Sequence, residues 1–289
     1  VPDVTPGKPK FSVCQLAMPN TTMAEDIRLC ADLGIECIGL DENKMVPGGD
    51  NELRDELVRL GVRAGICSPA TLSLLPSPVL DGYPDPEQRI QSICESISRF
   101  APFRPDTVFI LTGPLGRYDE RTGRKVVVDG LRAAVKTADE CGVPLSVEPM
   151  RTSHHDKLSF IHSLPDMLSL IDDVGDALKI TYDVWHLWDS EDVLPLTRKH
   201  GSAIAGVQIS DYRQPTRVDE DRLLPGQGVI DLPRMFGTLE ASGYTGWYDL
   251  EVFSDFVLPD SIWKRPPYEW IDEGREGFLS AWARRTVSG

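Results

Sequence analysis

The sequence predicts an α/β protein, a single closed (β/α)8 barrel with a C-terminal extension, and three observations carry that prediction. Short apolar runs alternate with helix-like segments eight times along the 289 residues. The runs lack the polar alternation of a sheet with one wet face. Parallel strands buried on both faces read this way, and parallel pairing requires helical crossovers between strands. The length suits one barrel of about 250 residues with an extension. An open doubly wound sheet is the competing architecture. It would need a glycine-rich turn after the first strand to hold a dinucleotide, and no GxGxxG stands there.

The elements follow in order. Residues 1–10 are rich in proline and read as a flexible arm. The barrel is expected over 11–252, beginning with a strand from Phe11 to Ala17. A helix from Thr22 to Leu33 comes next, capped by Thr21 or Thr22 and stopped at Gly34. Further strands are expected at 35–41, 62–68, 107–112, 143–149, 178–184, 203–210 and 246–252. Helices are expected between them at 51–60, 86–100, 124–140, 164–173, 191–200 and 232–242. Long connections at 68–85, 151–163 and 211–230 leave C-terminal strand ends, the face on which barrel enzymes carry their sites. Residues 253–289 hold Trp263, Tyr268, Trp270 and Trp282, more aromatics than a solvated tail needs. They read as a final helix and an extension over the barrel mouth or a neighbouring subunit.

A formal net charge of −15 argues against a nucleic-acid or anionic-membrane partner, because phosphate binding draws on clustered Lys and Arg. Six cysteines stand singly in apolar surroundings with no CxxC pair, as small buried hydrophobes in a reducing compartment do. No apolar run approaches the ~20 residues that cross a bilayer, and the N-terminal stretch lacks a signal-peptide pattern. A cytoplasmic protein is therefore expected.

The chemistry gathers at four successive strand ends. Glu148, Asp183, Gln208 and Glu251 each place an oxygen-bearing side chain where an apolar run finishes. A carboxylate in such a place is costly unless paired or bound to a cation. Three carboxylates and an amide carbonyl are hard donors suited to a divalent metal, Mn2+ or Mg2+, with Co2+ also accommodated. Salt bridges to arginines inside the barrel are the alternative use of these acids. His186, three residues after Asp183, is placed to donate to a substrate oxygen or to support a metal ligand from behind, and Arg213 to bind a substrate oxyanion or fix a metal-bound carboxylate, unless it is simply an exposed loop arginine. His154 and His155 follow Glu148 on one loop and are candidate bases, since imidazole titrates near neutrality.

The ends Val-Glu148-Pro, Tyr-Asp183-Val-Trp-His186, Val-Gln208-Ile-Ser-Asp211 and Leu-Glu251 resemble the xylose-isomerase-like barrel superfamily, as does the stretch Leu224-Pro-Gly-Gln-Gly-Val-Ile-Asp231. That group contains sugar phosphate isomerases and epimerases, ketose 3-epimerases, hydroxypyruvate isomerase, inosose dehydratase and AP endonuclease family 2. The resemblance implies that Glu148, Asp183, Gln208 and Glu251 are metal ligands, that Glu148 and Glu251 also face the sugar as an acid/base pair, and that His186 binds substrate. Many members have histidine where Gln208 stands, whereas the hydroxypyruvate isomerase branch has glutamine.

Proton abstraction next to a carbonyl opens isomerisation, epimerisation and elimination alike. A keto-sugar isomerase or epimerase is the leading expectation. The alternatives are an inosose-type dehydratase and a lyase resembling the C-glycoside deglycosidases, whose large subunit releases an aglycone from a 3-oxo-glycoside. The lyase reading leans on His154, His155 and the aromatic segment after Glu251, and it allows a small partner subunit beside the homo-oligomer. A zinc-dependent DNA-repair enzyme would need more histidines and a basic groove. A non-catalytic scaffold would be indifferent to chelators.

Overall fold

A computed structural model describes residues 9–286, so most of the proline-rich arm lies outside the described residues. Eight parallel staves form the barrel. They are β1 (Phe11–Cys14), β2 (Cys37–Gly39), β3 (Arg63–Ala64 and Ile66–Cys67), β4 (Thr107–Ile110), β5 (Leu145–Val147), β6 (Leu178–Asp183), β7 (Ile204–Ile209) and β8 (Tyr248–Leu250). The ring runs β1 to β8 in sequence order, and β8 pairs back onto β1 with Phe11 opposite Tyr248. The third stave is broken at Gly65. Its first half pairs with β2 and its second half with β4. A side chain at Gly65 would meet Cys37 Sγ at 2.8 Å, so this break requires glycine.

The staves are buried along nearly their whole length, as parallel strands between a barrel core and a helical ring must be. Inside the barrel a layer of hydroxyls runs across three staves, with Thr107 Oγ1 2.8 Å from Ser146 Oγ, which lies 2.7 Å from Thr181 Oγ1. On the other wall Ser12 donates to Asp249 Oδ1 at 2.6 Å. This polar layer is the floor on which the upper residues stand.

The helices start where their caps dictate. Thr22 and Glu25 form a capping box for Met23–Asp32, and Asp85 caps Pro86–Phe100 with proline in the first turn. The strands are shorter than the sequence expectation, and two helices depart from it most. The fourth major helix runs Glu120–Cys141, four residues earlier than read, because the Asp119 cap outweighs the breaking tendency of Gly123. After β6 a one-turn helix, Val184–Leu187, precedes Val193–His200, because the Asp183 carboxylate accepts from Trp185 N at 2.9 Å and turns the chain.

The C-terminal helix Pro267–Ala283 packs on the outside of the barrel through Phe278, whose ring lies 5.3 Å from Tyr248 and 5.6 Å from Phe11. The segment between β8 and this helix carries Phe253, Phe256 and Trp263. No helix among the described residues is long and apolar enough to cross a membrane. All six cysteines are free thiols.

Candidate functional site

The last four staves deliver their polar ends to one buried cluster. Glu148 stands one residue past β5, where its backbone N–H still reaches Ile110 O at 3.2 Å and holds the ladder. Asp183 ends β6 and is opposite Gln208 of β7, which in turn is opposite Asp249 of β8, two residues before Glu251. All four candidate ligands are almost fully buried, Asp183 and Gln208 completely. Gln208 Nε2 donates to Glu251 Oε1 at 2.6 Å, and the Cys14 thiol approaches the same oxygen at 3.4 Å.

His186 completes the cluster from the one-turn helix. Its Nε2 lies 3.5 Å from Glu148 Oε1 and 3.6 Å from Asp183 Oδ2. Glu148, Asp183 and His186 thus offer ligand atoms within 4.8 Å of one another. On its other side His186 Nδ1 faces the backbone N–H of Arg151 at 3.2 Å. Burial, aided by Arg222, His154 and Arg151, pulls the imidazole well below its ordinary pKa and keeps it neutral. A neutral ring has one proton for two nitrogens. His186 Nε2 faces the cluster, 3.3 Å from Arg222 Nη2 and beside Glu148 and Asp183, where it can meet a substrate oxygen or a metal.

Three carboxylates this close cannot all ionise without compensation. Burial, with Glu251 and Asp183 beside it, pushes the Glu148 carboxyl well above the usual carboxylate range. Burial outweighs the pull of Arg222 at Glu251, which rises to about 8, and Asp183 is raised in the same way. Glu148 Oε1 and Gln208 Oε1 are both buried and without a hydrogen-bond partner. Such an orphan costs about 1–3 kcal/mol. Protonated or unsatisfied hard oxygens at one point are a donor set that fits a divalent cation.

Arg222 is the residue that sequence reasoning missed. It stands on the second strand of a hairpin formed by Asp211–Tyr212 and Arg222–Leu223. Its guanidinium is buried, with Nη1 2.7 Å from Asp183 Oδ2 and 3.1 Å from Glu251 Oε2. Nε donates to Glu220 Oε2 at 3.2 Å, and the guanidinium carbon lies over the rings of Trp185 (4.6 Å) and Phe253 (4.9 Å). Salt bridging to an arginine, the alternative use of the acids, is thus present for Asp183 and Glu251, while Glu148 and Gln208 retain unsatisfied oxygens.

Asp211 builds this hairpin. Its carboxylate accepts from the backbone N–H groups of Tyr212, Gly226 and Ile230 at 2.8, 2.9 and 3.0 Å. A side chain at Gly228 would meet Asp211 Oδ1 at 2.4 Å, and Gly226 has φ +87°. The Pro-Gly-x-Gly stretch therefore folds back onto the end of β7 and aims Arg222 inward. An arginine followed by Leu223 and Leu224 at the end of an acidic run was the only sequence signal for it. For Cys14, the signal was its place at the end of β1.

Two expected residues stand elsewhere. Arg213 is a third exposed and pairs with Asp221, its Nε 3.1 Å from each carboxylate oxygen, at the outer edge of the hairpin. The Asp221 carboxylate already braces Arg217, which draws Arg213 outward. His155 is exposed, and its Nδ1 lies 2.7 Å from His162 Nε2, away from the cluster. His154 turns inward instead. It is buried, edge-on to His186 with centroids 5.4 Å apart, and its Nε2 lies 3.2 Å from Glu220 Oε1. The one-residue offset in a tight turn separates the two histidines.

Comparison with known proteins agrees with this fold. A family model described as a xylose isomerase-like TIM barrel matches residues 27–281. The inosose dehydratase of Geobacillus thermodenitrificans is 27% identical over 167 residues, which are 52% of this chain and 52% of that protein. The chain therefore spans about half the length of that relative. The L-ribulose-5-phosphate 3-epimerase UlaE of Escherichia coli (strain SE11) is 27% identical over 263 residues, 86% of this chain and 88% of that protein. Among solved structures, the IolI protein with a zinc atom superposes with a TM-score of 0.80 at 16% identity, covering 96% of this chain and all of that one.

Proposed function

We propose, for a chain that belongs to the xylose isomerase-like TIM barrel family, a divalent-metal-dependent enzyme that moves a proton next to the carbonyl of a small sugar, as a keto-sugar isomerase or epimerase. One observation carries this reading. Glu148 and Glu251 rise from opposite ends of the four-stave arc, both buried and both with their carboxyl groups pushed above the ordinary range by burial, Glu251 to about 8. The metal would be held by Glu148, Asp183, Gln208 and Glu251, Mn2+ before Mg2+ or Co2+, and would polarise the substrate carbonyl.

The chain's own residues supply the rest. One of the two glutamates removes the proton on the carbon beside the carbonyl, and the other returns it, to the neighbouring carbon in isomerisation or to the opposite face in epimerisation. His186 donates from Nε2 to a substrate oxygen. The Trp185 and Phe253 rings exclude water around Arg222, which strengthens every polar contact inside. The similarity to a sugar-phosphate epimerase over most of the chain supports the choice of reaction.

A second reading, elimination, rests on His154. Buried beside His186 and facing Glu220, it is a further acid placed to protonate a leaving group, as a dehydratase or an aglycone-releasing lyase needs. The similarity to an inosose dehydratase favours the former. For the latter, Phe253, Trp263 and the half-exposed Phe256 form an aromatic strip leading from Arg222, with ring centroids 6.3 and 5.3 Å apart.

The test incubates Mn2+-loaded protein in D2O with a panel of keto-sugars, inososes and 3-oxo-glycosides. Deuterium wash-in with recovery of an isomeric sugar supports the leading reading. Loss of water or release of an aglycone supports elimination. No exchange with any member, with or without metal, overturns both.

A further inference from the structure

We propose that a groove on the outer flank of the barrel, between the helices Val193–His200 and Leu232–Ala241 and the end of the last helix, binds a small organic molecule carrying two or more phosphate charges. None of its walls belongs to the cluster at the barrel mouth, so the inference stands apart from the reading of that cluster.

The groove has a volume of about 840 Å3, and four cations, Arg198, Lys199, Arg234 and Arg284, line it against one carboxylate, Asp231. An excess of three positive charges therefore gathers in one place on a chain whose formal net charge is −15. Among the described residues none of the four cations pairs with a carboxylate, and Arg284 donates only to the Ser280 carbonyl at 3.2 Å. Its neighbour Arg285, by contrast, lies 2.6 Å from Glu240 Oε2.

Helix electrostatics explain some of these charges but not all. Arg198 and Lys199 stand in the last turn of their helix and Arg284 caps the final one, where cations offset the negative end of the dipole. Arg234 stands in the first turn of its helix, at the positive end, where a cation is unfavourable. The backbone there has nothing to offer an anion, because Leu232 N bonds Ile230 O, Arg234 N bonds the capping Asp231 carboxylate, and Pro233 lacks an N–H. Side chains alone make the site.

The far wall is held in place by close packing. A side chain at Gly237 would run into Thr286 O, so glycine lets the end of the chain lie directly on the helix. The Arg285–Glu240 pair clamps the same segment, with Arg285 4.1 Å from the Trp282 ring, and this carries Arg284 and Thr286 to the groove.

The chemistry of the walls selects the ligand. Three guanidinium groups present planar forks that match phosphate oxygens in pairs, and Lys199 adds a point charge. The volume lies in the range of small-molecule sites, about 300–1,000 Å3, and leaves room for an organic body beside Pro195 and Pro233. A nucleic acid or acidic protein surface would also meet the negative charge of the rest of the chain, whereas a small ligand feels the field within about 8 Å at physiological salt.

The test is titration calorimetry at about 0.15 M salt without added divalent ions, with ADP and inorganic pyrophosphate as probes. Wild type should bind both with a Kd below about 1 mM, and the double variant Arg198→Gln, Arg234→Gln at least about tenfold more weakly. Glu148→Gln, altered only at the mouth, should match wild type. A measurement on wild type holds even if the double variant does not fold. ADP should protect Lys199 from acetylation, read by peptide mass spectrometry, and leave Lys157 on the β5 loop unprotected. Failure of wild type to bind either probe overturns the proposal, as does loss of binding in Glu148→Gln with the double variant unaffected, which would put the anion in the mouth. Sulfate binding as tightly as ADP would mean an adventitious ion only, and hexaglutamate binding more tightly than ADP would assign the groove to an acidic protein segment; either result also overturns it.

Discussion

The two parts of the molecule that meet at the cluster are built on opposite principles. The rim of β5 to β8 is rigid: Glu148, Asp183, Gln208 and Glu251 stand on or beside parallel staves whose register is fixed by their neighbours. The hairpin after β7 is a loop structure, held by the Asp211 carboxylate on the inside and by ion pairs of Arg213 and Arg217 with Asp221 on the outside. The rim concentrates negative charge that it cannot neutralise. The hairpin brings in one buried guanidinium that neutralises part of it. Precise placement of donors is the task of the scaffold, while the counter-charge is carried on a connection.

The largest expected effect tests the rim. Glu148→Gln and Glu251→Gln should each lower proton exchange with the productive substrate by about 100-fold or more, the usual weight of a positioned acid or base. If both variants keep full exchange rates in D2O, the rim is not the reacting surface.

The next effect separates the two histidines of the β5 loop. In an elimination assay His154→Ala should fall by about 100-fold, because His154 is buried against His186, whereas His155→Ala should match wild type, because His155 is exposed and pairs with His162. Equal losses in the two variants would contradict the placement of these side chains.

A smaller and graded effect comes from the charge of the rim. Glu251 has its folded pKa raised from about 4.5 to about 8. A group raised on folding contributes stability fully below its unfolded pKa and loses it as pH rises through the folded one. The thermal midpoint of chelated protein should therefore fall as pH is taken from about 4.5 past 8. Mn2+ at about 100 times its Kd should offset the loss with roughly 2.7 kcal/mol. A midpoint independent of pH and of metal would show that Glu251 titrates as it does in the unfolded chain and that the cluster binds no ion.

The smallest effect belongs to the outer edge of the hairpin. Arg213 is a third exposed, so Arg213→Ala should change stability to urea by no more than about 1 kcal/mol, with little change in exchange rate. A loss as large as that of the rim variants would place Arg213 in the site after all.

Much of this was legible in the amino-acid order. Eight apolar runs with helical crossovers determined the barrel, because strands buried on both faces must pair in parallel and must be linked by helices. The rim residues were legible for the same reason. A position at the end of an apolar run maps onto one end of the barrel, and an acid there has few inexpensive alternatives to a counter-charge.

Tertiary structure alone decided what enters from the loops. Whether His154 or His155 turns inward depends on one residue's rotation within a short turn, and no periodicity encodes that. Arg213 and Arg222 both lie on the connection after β7, and only the fold of Asp211 onto Gly226, Gly228 and Ile230 determines which of them reaches Asp183. Regular elements have a period from which direction can be read in one dimension. Loops take their direction from contacts with residues distant in sequence, and those contacts exist only once the chain has folded.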